Sequence, residues 1–458
     1  MKTLYLFALL FMSSFSCIII AQTHNWTGNG GDTDWFNTSN WDAGTIPIET
    51  STVSIVGNVN VLITGSNAEA YTIDLFNNSA LELDGNLNTD SIVTVHESAT
   101  FKFTSGILSG SGILNDGLLL FEGIQIRTLS NTTINNNGHL LVSGANQTQV
   151  LGSTINNNST GVFEIASPGG FLQQSTTSFL NNAGTIIKMP DGINSIGFFY
   201  LIMTIHNEGV FEVMEGQTFL LLAGTATFTN TATGRLVGNG TYDITTEFIN
   251  LGTIAPGNSP DVGSLDVTNN FSLTGGKIEL DIEGSASGEY DKIRVTGFPS
   301  MDGFLDINLK YEASLGDSFT IVTWTPNGHT CLFPETATAS FDGLVYTFDI
   351  NCNPNDVTLV VSEITVLGID DVSSQKIEFF ISPNPVVSEA SFSFSSEVTN
   401  FEITRLVIYN YLGQEIIRRD DFSTENNSFN RGNLPSGLYF AQLETDSNIL
   451  ATTRMVLK

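Results

Sequence analysis

The residues of this chain that could do chemistry are few and widely spaced. Beyond Cys17, which falls in a leader segment, the only cysteines are Cys331 and Cys352. In an exported chain an even pair reads as a disulfide, stabilising by ~3 kcal/mol through the loop it closes. His329 brings a metal site to mind, but two thiolates and one imidazole lack a fourth ligand at suitable spacing, so the disulfide is preferred. Asn29, Asp32 and Asp34 have the look of a Gly-Gly-x-Gly-x-Asp calcium loop, but one copy without a following Glu is thin support. No cofactor is expected beyond that structural calcium. His96, His139 and His206 stand isolated, and neither a Gly-x-Ser-x-Gly motif nor a metal-binding His pair occurs. Asp281 and Glu283 share one strand face, where solvation is the expected role. With no catalytic or metal-binding residue assigned, a non-enzyme is expected. Two carboxylates ~5–10 Å apart in a pocket beside a basic group would count against that.

The elements that must position these residues follow from composition and repetition. The 458 residues carry 47 Asp+Glu against 16 Lys+Arg, with 43 Gly and 43 Asn. Only 14% are charged, against a usual ~25%, so amides and hydroxyls carry the polarity. An apolar fraction of 41% is too high for disorder, and the acidic balance argues against nucleic acid. Met1 to Ala21 reads as a secretory signal peptide. Lys2 forms the positive start, Leu4 to Ile20 the apolar run, and Ala21 the small residue before cleavage at Gln22. Cys17 suggests a lipoprotein, but Ser14, Phe15 and Ser16 make a poor lipobox. No later run of ~18 apolar residues offers a transmembrane segment. Residues 22–370 hold 36 acidic and 8 basic side chains, a net of −28, while 371–458 hold 11 and 7, a net of −4. That shift marks a separate C-terminal domain.

The centre of the chain repeats. Seven segments join an apolar residue, Asn, a short spacer and Gly, with glycines at 117, 138, 161, 184, 209, 234 and 252. Two positions beyond each Gly stands an apolar residue: Leu119, Leu140, Phe163, Ile186, Phe211, Leu236 and Ile254. A period near twenty residues marks a solenoid, and alternation such as Val210-Phe211-Glu212-Val213 marks strands. The expected fold is all-β, a right-handed parallel β-helix followed by a small Ig-like antiparallel β-sandwich. Gly or Asn is expected to supply left-handed backbone at the corners. Looser copies, with Ser79-Ala80-Leu81 matched to Ser98-Ala99-Thr100, start the solenoid near residue 50. Roughly a dozen coils at ~4.8 Å would give a rod of order 60 Å.

The segment 22–49 holds Trp26, Trp35 and Trp41 and resembles the Trp/Gly/Pro opening of many secreted bacterial β-helix proteins, which caps the first coil. The repeats span 50–255. In 256–365, Pro256-Gly257-Asn258-Ser259-Pro260, Gly284, Tyr290-Asp291 and Gly303-Phe304-Leu305 resemble the membrane-proximal end of autotransporter passengers, implying continuation or capping of the rod. A linker at 366–375 precedes the last domain, 376–458.

There the chain reads Ile381-Ser382-Pro383-Asn384-Pro385, then Tyr411-Leu412-Gly413, then Leu434-Pro435-Ser436-Gly437-Leu438-Tyr439, and ends Met455-Val456-Leu457-Lys458. These motifs in this order closely resemble the type A C-terminal sorting domain of type IX secretion, with Ser382 in place of the usual aromatic. The resemblance implies that Pro383, Asn384, Pro385, Gly413, Gly437, Tyr439 and Lys458 form the sorting signal. It also implies export through the periplasm of a Gram-negative bacterium and the type IX translocon, and removal of the domain by its sorting peptidase. Attachment to cell-surface lipopolysaccharide often follows. The expected protein is a secreted or cell-surface structural, adhesin-like rod facing extracellular glycans. A β-helix polysaccharide lyase or hydrolase is the alternative. A flat Thr array for ice or mineral is set aside because Thr225 and Thr227 do not recur in register.

Overall fold

The computed structural model describes residues 22–166, 168–174, 177–190, 197–221, 226–245, 247–257, 261–269, 271–325, 328–366, 379–394, 405–420, 422, 427–444 and 449–458. The signal segment with Ala21 and most of the 366–375 linker lie outside them, as do Asn258, Ser259 and Pro260. Among the described residues the secondary structure is strand, apart from a short 3-10 turn at Thr38–Asn40. Two compact units form, one within Met1–Leu367 and one within Gly368–Lys458.

The first unit is a parallel β-solenoid of about ten turns, its strands joined in one continuous sheet. Each turn contributes one strand to each of three faces. The first face stacks Leu118–Phe121, His139–Val142, Val162–Ile165, Thr185–Lys188, Val210–Val213 and Arg235–Gly238, each parallel to the next. The second stacks Arg127–Ser130, Thr148–Leu151, Gly169–Gln173, Gly197–Ile202, Gln217–Leu221 and Thr241–Ile244. The third stacks Thr133–Asn136, Thr154–Asn157, Phe179–Asn182, Thr204–Asn207, Thr227–Asn230 and Glu247–Asn250. Because side chains alternate along a strand, every second residue points inward. The seven apolar residues that follow the repeat glycines are all buried, and rings such as Phe211 and Phe219 meet 5.5 Å apart in the core.

Two expectations change. Left-handed backbone does occur at corners on Asn77, Asn78, Asn131, Gly152 and Gly216, but the repeat glycines do not adopt it; none of the seven is among the positive-φ residues. They are required sterically. A Cβ on Gly209 would sit 2.1 Å from the carbonyl oxygen of Gly184, and one on Gly252 2.2 Å from that of Gly234. The register also differs by one residue at several copies. Ala80 pairs with Thr100 rather than Ala99, and on the outer row Leu114 lies beside Asn135 and Ile249 beside Thr229. A one-residue slip moves a whole strand to the other side of the sheet, so the inward asparagines set the true frame.

The N-terminal segment closes its end of the solenoid. Thr23–Asn25 adds a strand to Thr52–Val56, and the Trp35 amide bonds to the Leu62 carbonyl at 3.0 Å. Trp35 and Trp41 are buried, with ring centroids 4.9 Å apart, and the Trp41 indole donates to the Trp35 carbonyl at 2.8 Å. At the other end Ser318–Thr325 pairs antiparallel with Asp356–Val366, which pairs with Leu344–Cys352 and that with Thr336–Phe341. This ends the parallel stacking in an antiparallel sheet rather than further coils. Cys331 lies on a strand that pairs with Ser300 and Met301, and its disulfide to Cys352 ties the solenoid to that sheet.

The second unit packs a three-stranded sheet of Phe379–Ser382, Glu389–Phe394 and Ser428–Asn430 with a four-stranded one. The larger sheet orders Glu415–Arg419, Arg405–Asn410, Gly437–Glu444 and Ile449–Leu457. Phe379, Phe392, Ile408, Tyr439, Leu443 and Met455 form its core, so Phe379 supplies an aromatic although Ser382 takes the usual place.

Candidate functional site

In the second unit the motif residues converge on the last strand. The Asn384 side chain works as a strand edge: its Nδ2 donates to the Arg454 carbonyl at 2.8 Å, and its Oδ1 accepts the Val456 amide at 2.9 Å. The main chain continues the pairing, with the Val386 amide bonding to the Val456 carbonyl and the Lys458 amide to the Val386 carbonyl. Pro383 and Pro385, both after cis peptides, flank the amide, and neither has an N–H to compete with it. Gly413, at φ +78°, closes a hairpin in which Asn410 Oδ1 accepts the amides of Leu412 and Gln414. Tyr439 is buried, with its hydroxyl donating to the Pro435 carbonyl at 3.1 Å, and Gly437 opens the same strand. Asn384 and the chain end thus form one unit, while Gly413 and Tyr439 shape the turns around it.

Residues 381–458 match the family described as the secretion system C-terminal sorting domain. The chain carries this sorting tail. Such a tail marks a chain for type IX secretion, to the outside or to the cell surface. No curated protein matches the chain. Among the described residues no helix is long and apolar enough to cross a membrane.

On the rod the asparagine clusters are sorted by the pleat. Seven inward amides form a continuous ladder. Asn115 Nδ2 donates to Asn136 Oδ1 at 2.6 Å, Asn136 to Asn157 at 2.8 Å and Asn157 to Asn182 at 2.8 Å. Asn182 donates to Asn207, Asn207 to Asn230 and Asn230 to Asn250, each at 2.7 Å. All seven are buried. Second N–H groups reach corner or next-coil carbonyls, as from Asn182 to Val210 at 3.1 Å. Only the ends are unpaired: Asn115 Oδ1 and Asn250 Nδ2 have no partner. These amides satisfy one another and offer nothing to a ligand. The outer row does face outward, with Asn181 donating to Asn156 and Asn156 to Asn135 at 2.8 Å. Thr227 belongs to an outer column with Thr133 and Thr154, so threonines do recur in register there. Phe179 and Glu247 stand in the same column and break the hydroxyl array, and Thr225 lies outside the described residues.

All eight rod cations are engaged. Lys102 bridges Glu82 and Glu122, Arg235 binds Glu279 with both terminal nitrogens, and Arg294 binds Asp266 with two nitrogens. Lys277 meets Glu279 and Asp306, and Lys292 lies over the Tyr290 ring. Arg127 and Lys188 are buried inside, donating respectively to the Glu122 and Asn146 carbonyls and to Gln217 Oε1. Burial lowers the Arg127 pKa, while the Arg235 guanidinium holds the Glu279 carboxyl below its usual range. The rod surface therefore presents acids in excess and no basic patch.

The carboxylate pair Asp281 and Glu283 is not simply solvated, as expected, since Asp281 is buried. Lys310 spans both at 3.1 Å, and Asn308 Nδ2 donates to Asp281 Oδ1. Sequence reading missed the third member, Asp291, also buried, which accepts the Gly263 and Asp281 amides at 2.6 and 2.8 Å. Burial pushes Asp291 up to about 7 against the pull of those amides. Two carboxylates and a lysine do come together here, but Asp281 and Asp291 are each 1% exposed, Asp291 is held by two main-chain amides, and Asp281 is taken up by Asn308 and Lys310. At the N-terminal loop Asp32 accepts Asn37 and Asn40 side-chain amides, which lower its pKa. Among the described residues no group of three or more His, Cys, Asp or Glu is placed to hold a metal. His329 lies against Trp324, with ring centroids 4.6 Å apart and the planes tilted by 46°.

Proposed function

We propose that this chain is a non-catalytic, adhesin-like rod. It is exported through the type IX system, trimmed by the sorting peptidase and either anchored to lipopolysaccharide or released. The observation that carries this reading is the sorting tail on a solenoid whose interior is filled and whose ends are both closed. A long, regular outer surface is then what export delivers. The alternative, a polysaccharide lyase or hydrolase, draws on Asp281, Asp291 and Lys310. The burial of both aspartates, the main-chain amides on Asp291 and the pairing of Lys310 with Asp281 and Glu283 support a structural role for the group instead.

Deleting residues 371–458 and locating the product tests the export half. Retention in the periplasm supports it, and unchanged surface display sinks it. Incubating the mature chain with acidic and neutral polysaccharides tests the other half. Release of reducing or unsaturated ends, abolished by Asp291→Asn, would establish the enzyme instead.

A further inference from the structure

We infer that a notch on the corner between the third and first faces binds a neutral or amino-substituted oligosaccharide. The inference rests on the adhesin-like reading and names the ligand class of that rod. Corner length makes the notch. Four residues turn the chain at 96–99 and again at 158–161, but only two at 116–117 and at 137–138. The long corners stand out as walls and the two short ones form the floor. Three coil steps of ~4.8 Å separate the walls by ~14 Å, room for a short sugar chain.

Phe76, His96, Glu97, Asp116, Asn137 and Thr160 line the resulting cavity. Its floor is fixed before any ligand arrives. Asn137 Nδ2 donates to Asp116 Oδ1 at 2.8 Å, Asn158 Nδ2 to Asn137 Oδ1 at 2.7 Å, and Thr160 Oγ1 to the Asn137 carbonyl at 2.9 Å. At one wall Phe76 and His96 stack with ring centroids 4.0 Å apart and planes 12° apart, a flat platform held by the His96–Asp74 contact at 3.3 Å. A second hollow continues along the floor past Glu97 and Asp116 to the His139–Glu164 pair.

The chemistry selects the ligand. Asp116 Oδ2 and the exposed Glu97 carboxylate are acceptors facing the cavity, so donors are wanted: sugar hydroxyls or an amino group. No Lys or Arg lines either hollow, and every cation on the rod is already engaged, so uronates, sulfates and phosphates would meet uncompensated carboxylates. A few fixed polar groups beside a ring platform suit a saccharide, and the notch, built from corner residues, is short for the strand addition by which many extended peptides bind.

The test uses the mature full chain on an array of neutral, amino, uronic and sulfated oligosaccharides with a Lys-rich peptide, then titration calorimetry on the strongest binder. Binding is expected among the neutral and amino sugars. Glu97→Ala and Thr160→Trp should each weaken it at least tenfold, about 1.4 kcal/mol, with the urea midpoint unchanged for the exposed Glu97→Ala and lowered only slightly for Thr160→Trp, which gives up one exposed bond to the Asn137 carbonyl. Preference for uronic or sulfated sugars, or for the peptide, would overturn the ligand class. Neutral-sugar binding that survives both substitutions would overturn the site and leave the adhesin-like rod standing. The site falls and the rod stands, too, if no saccharide binds yet cells displaying the chain adhere better than cells lacking it. If cells displaying it adhere no better and no saccharide binds, both readings fall.

Discussion

Replacing Asn182 by Val cuts the amide ladder at its centre. The substitution removes the bond accepted from Asn157 and the two donated to Asn207 and to the Val210 carbonyl. Asn157 Nδ2 keeps the Gly161 and Thr185 carbonyls, so it stays satisfied. Asn207 Oδ1, in contrast, loses its donor inside the core. At about 1 kcal/mol for each of two bonds and about 1–3 kcal/mol for one orphaned buried acceptor, the loss is about 3–5 kcal/mol. Asn115→Val at the end of the ladder loses the bond to the His139 carbonyl and also orphans one acceptor, on Asn136, but it removes an oxygen that already lacks a partner. That offset brings its cost to about 1–2 kcal/mol. Urea unfolding of the mature chain, followed by tryptophan fluorescence, compares the two. Trp35 and Trp41 report from the N-terminal cap and Trp324 from the last coils. Equal destabilisation by the central and terminal substitutions, or a neutral Asn182→Val, would refute the idea that the ladder acts as a connected chain.

Gly209→Ala should cost about 1–3 kcal/mol because its Cβ would overlap the Gly184 carbonyl, whereas Gly216→Ala meets open space and is strained only by its φ of +73°; thermal melts of the pair separate steric from conformational demand. Cys331→Ser should lower stability by ~3 kcal/mol, and a reducing agent should do the same to the wild type and nothing to the variant. Asp291 binds its proton more tightly folded than unfolded, so its contribution is fully present below about pH 4 and is lost as pH rises towards 7. Urea midpoints at pH 4, 5.5 and 7 should therefore fall more steeply in the wild type than in Asp291→Asn; parallel curves would assign the slope to other groups. Asn384→Ala removes both side-chain bonds to the last strand and should leave the chain in the periplasm, as measured by fractionation, while Asn384→Gln tests whether reach matters as well as chemistry.

Much of this architecture was legible in the residues. Glycines two positions before an apolar residue marked the turn into the first face, and the Pro-Asn-Pro to Gly-Leu-Tyr order marked the sorting tail. What escaped did so for physical reasons. A pleat of period two cannot say which asparagine of Asn135-Asn136 points inward, because the adjacent candidates differ by one residue; only stacking against Asn115 and Asn157 decides it. The glycines were explained by the wrong property, since a short distance to the neighbouring coil leaves no trace in one coil's sequence. Asp291 and Lys310 both reach Asp281, from positions 10 and 29 residues further along the chain, and nothing local announces the buried charge. Arg127 and Lys188 likewise look like surface cations until the solenoid closes over them.

The ladder has a sense of direction: every donor points toward the C-terminal coils, so the amide dipoles add along the axis. Seven amides make six bonds, and the two unmet groups at Asn115 and Asn250 occur once however long the row becomes. A duplicated coil would bring one more amide and one more bond while the terminal penalty stayed constant. For the amide row alone, each added unit therefore brings a bond without a further unmet group, and shortening raises the share of the row that is end. A rod built this way can change its reach by whole coils during evolution, with the caps unaltered and the interior chemistry already solved.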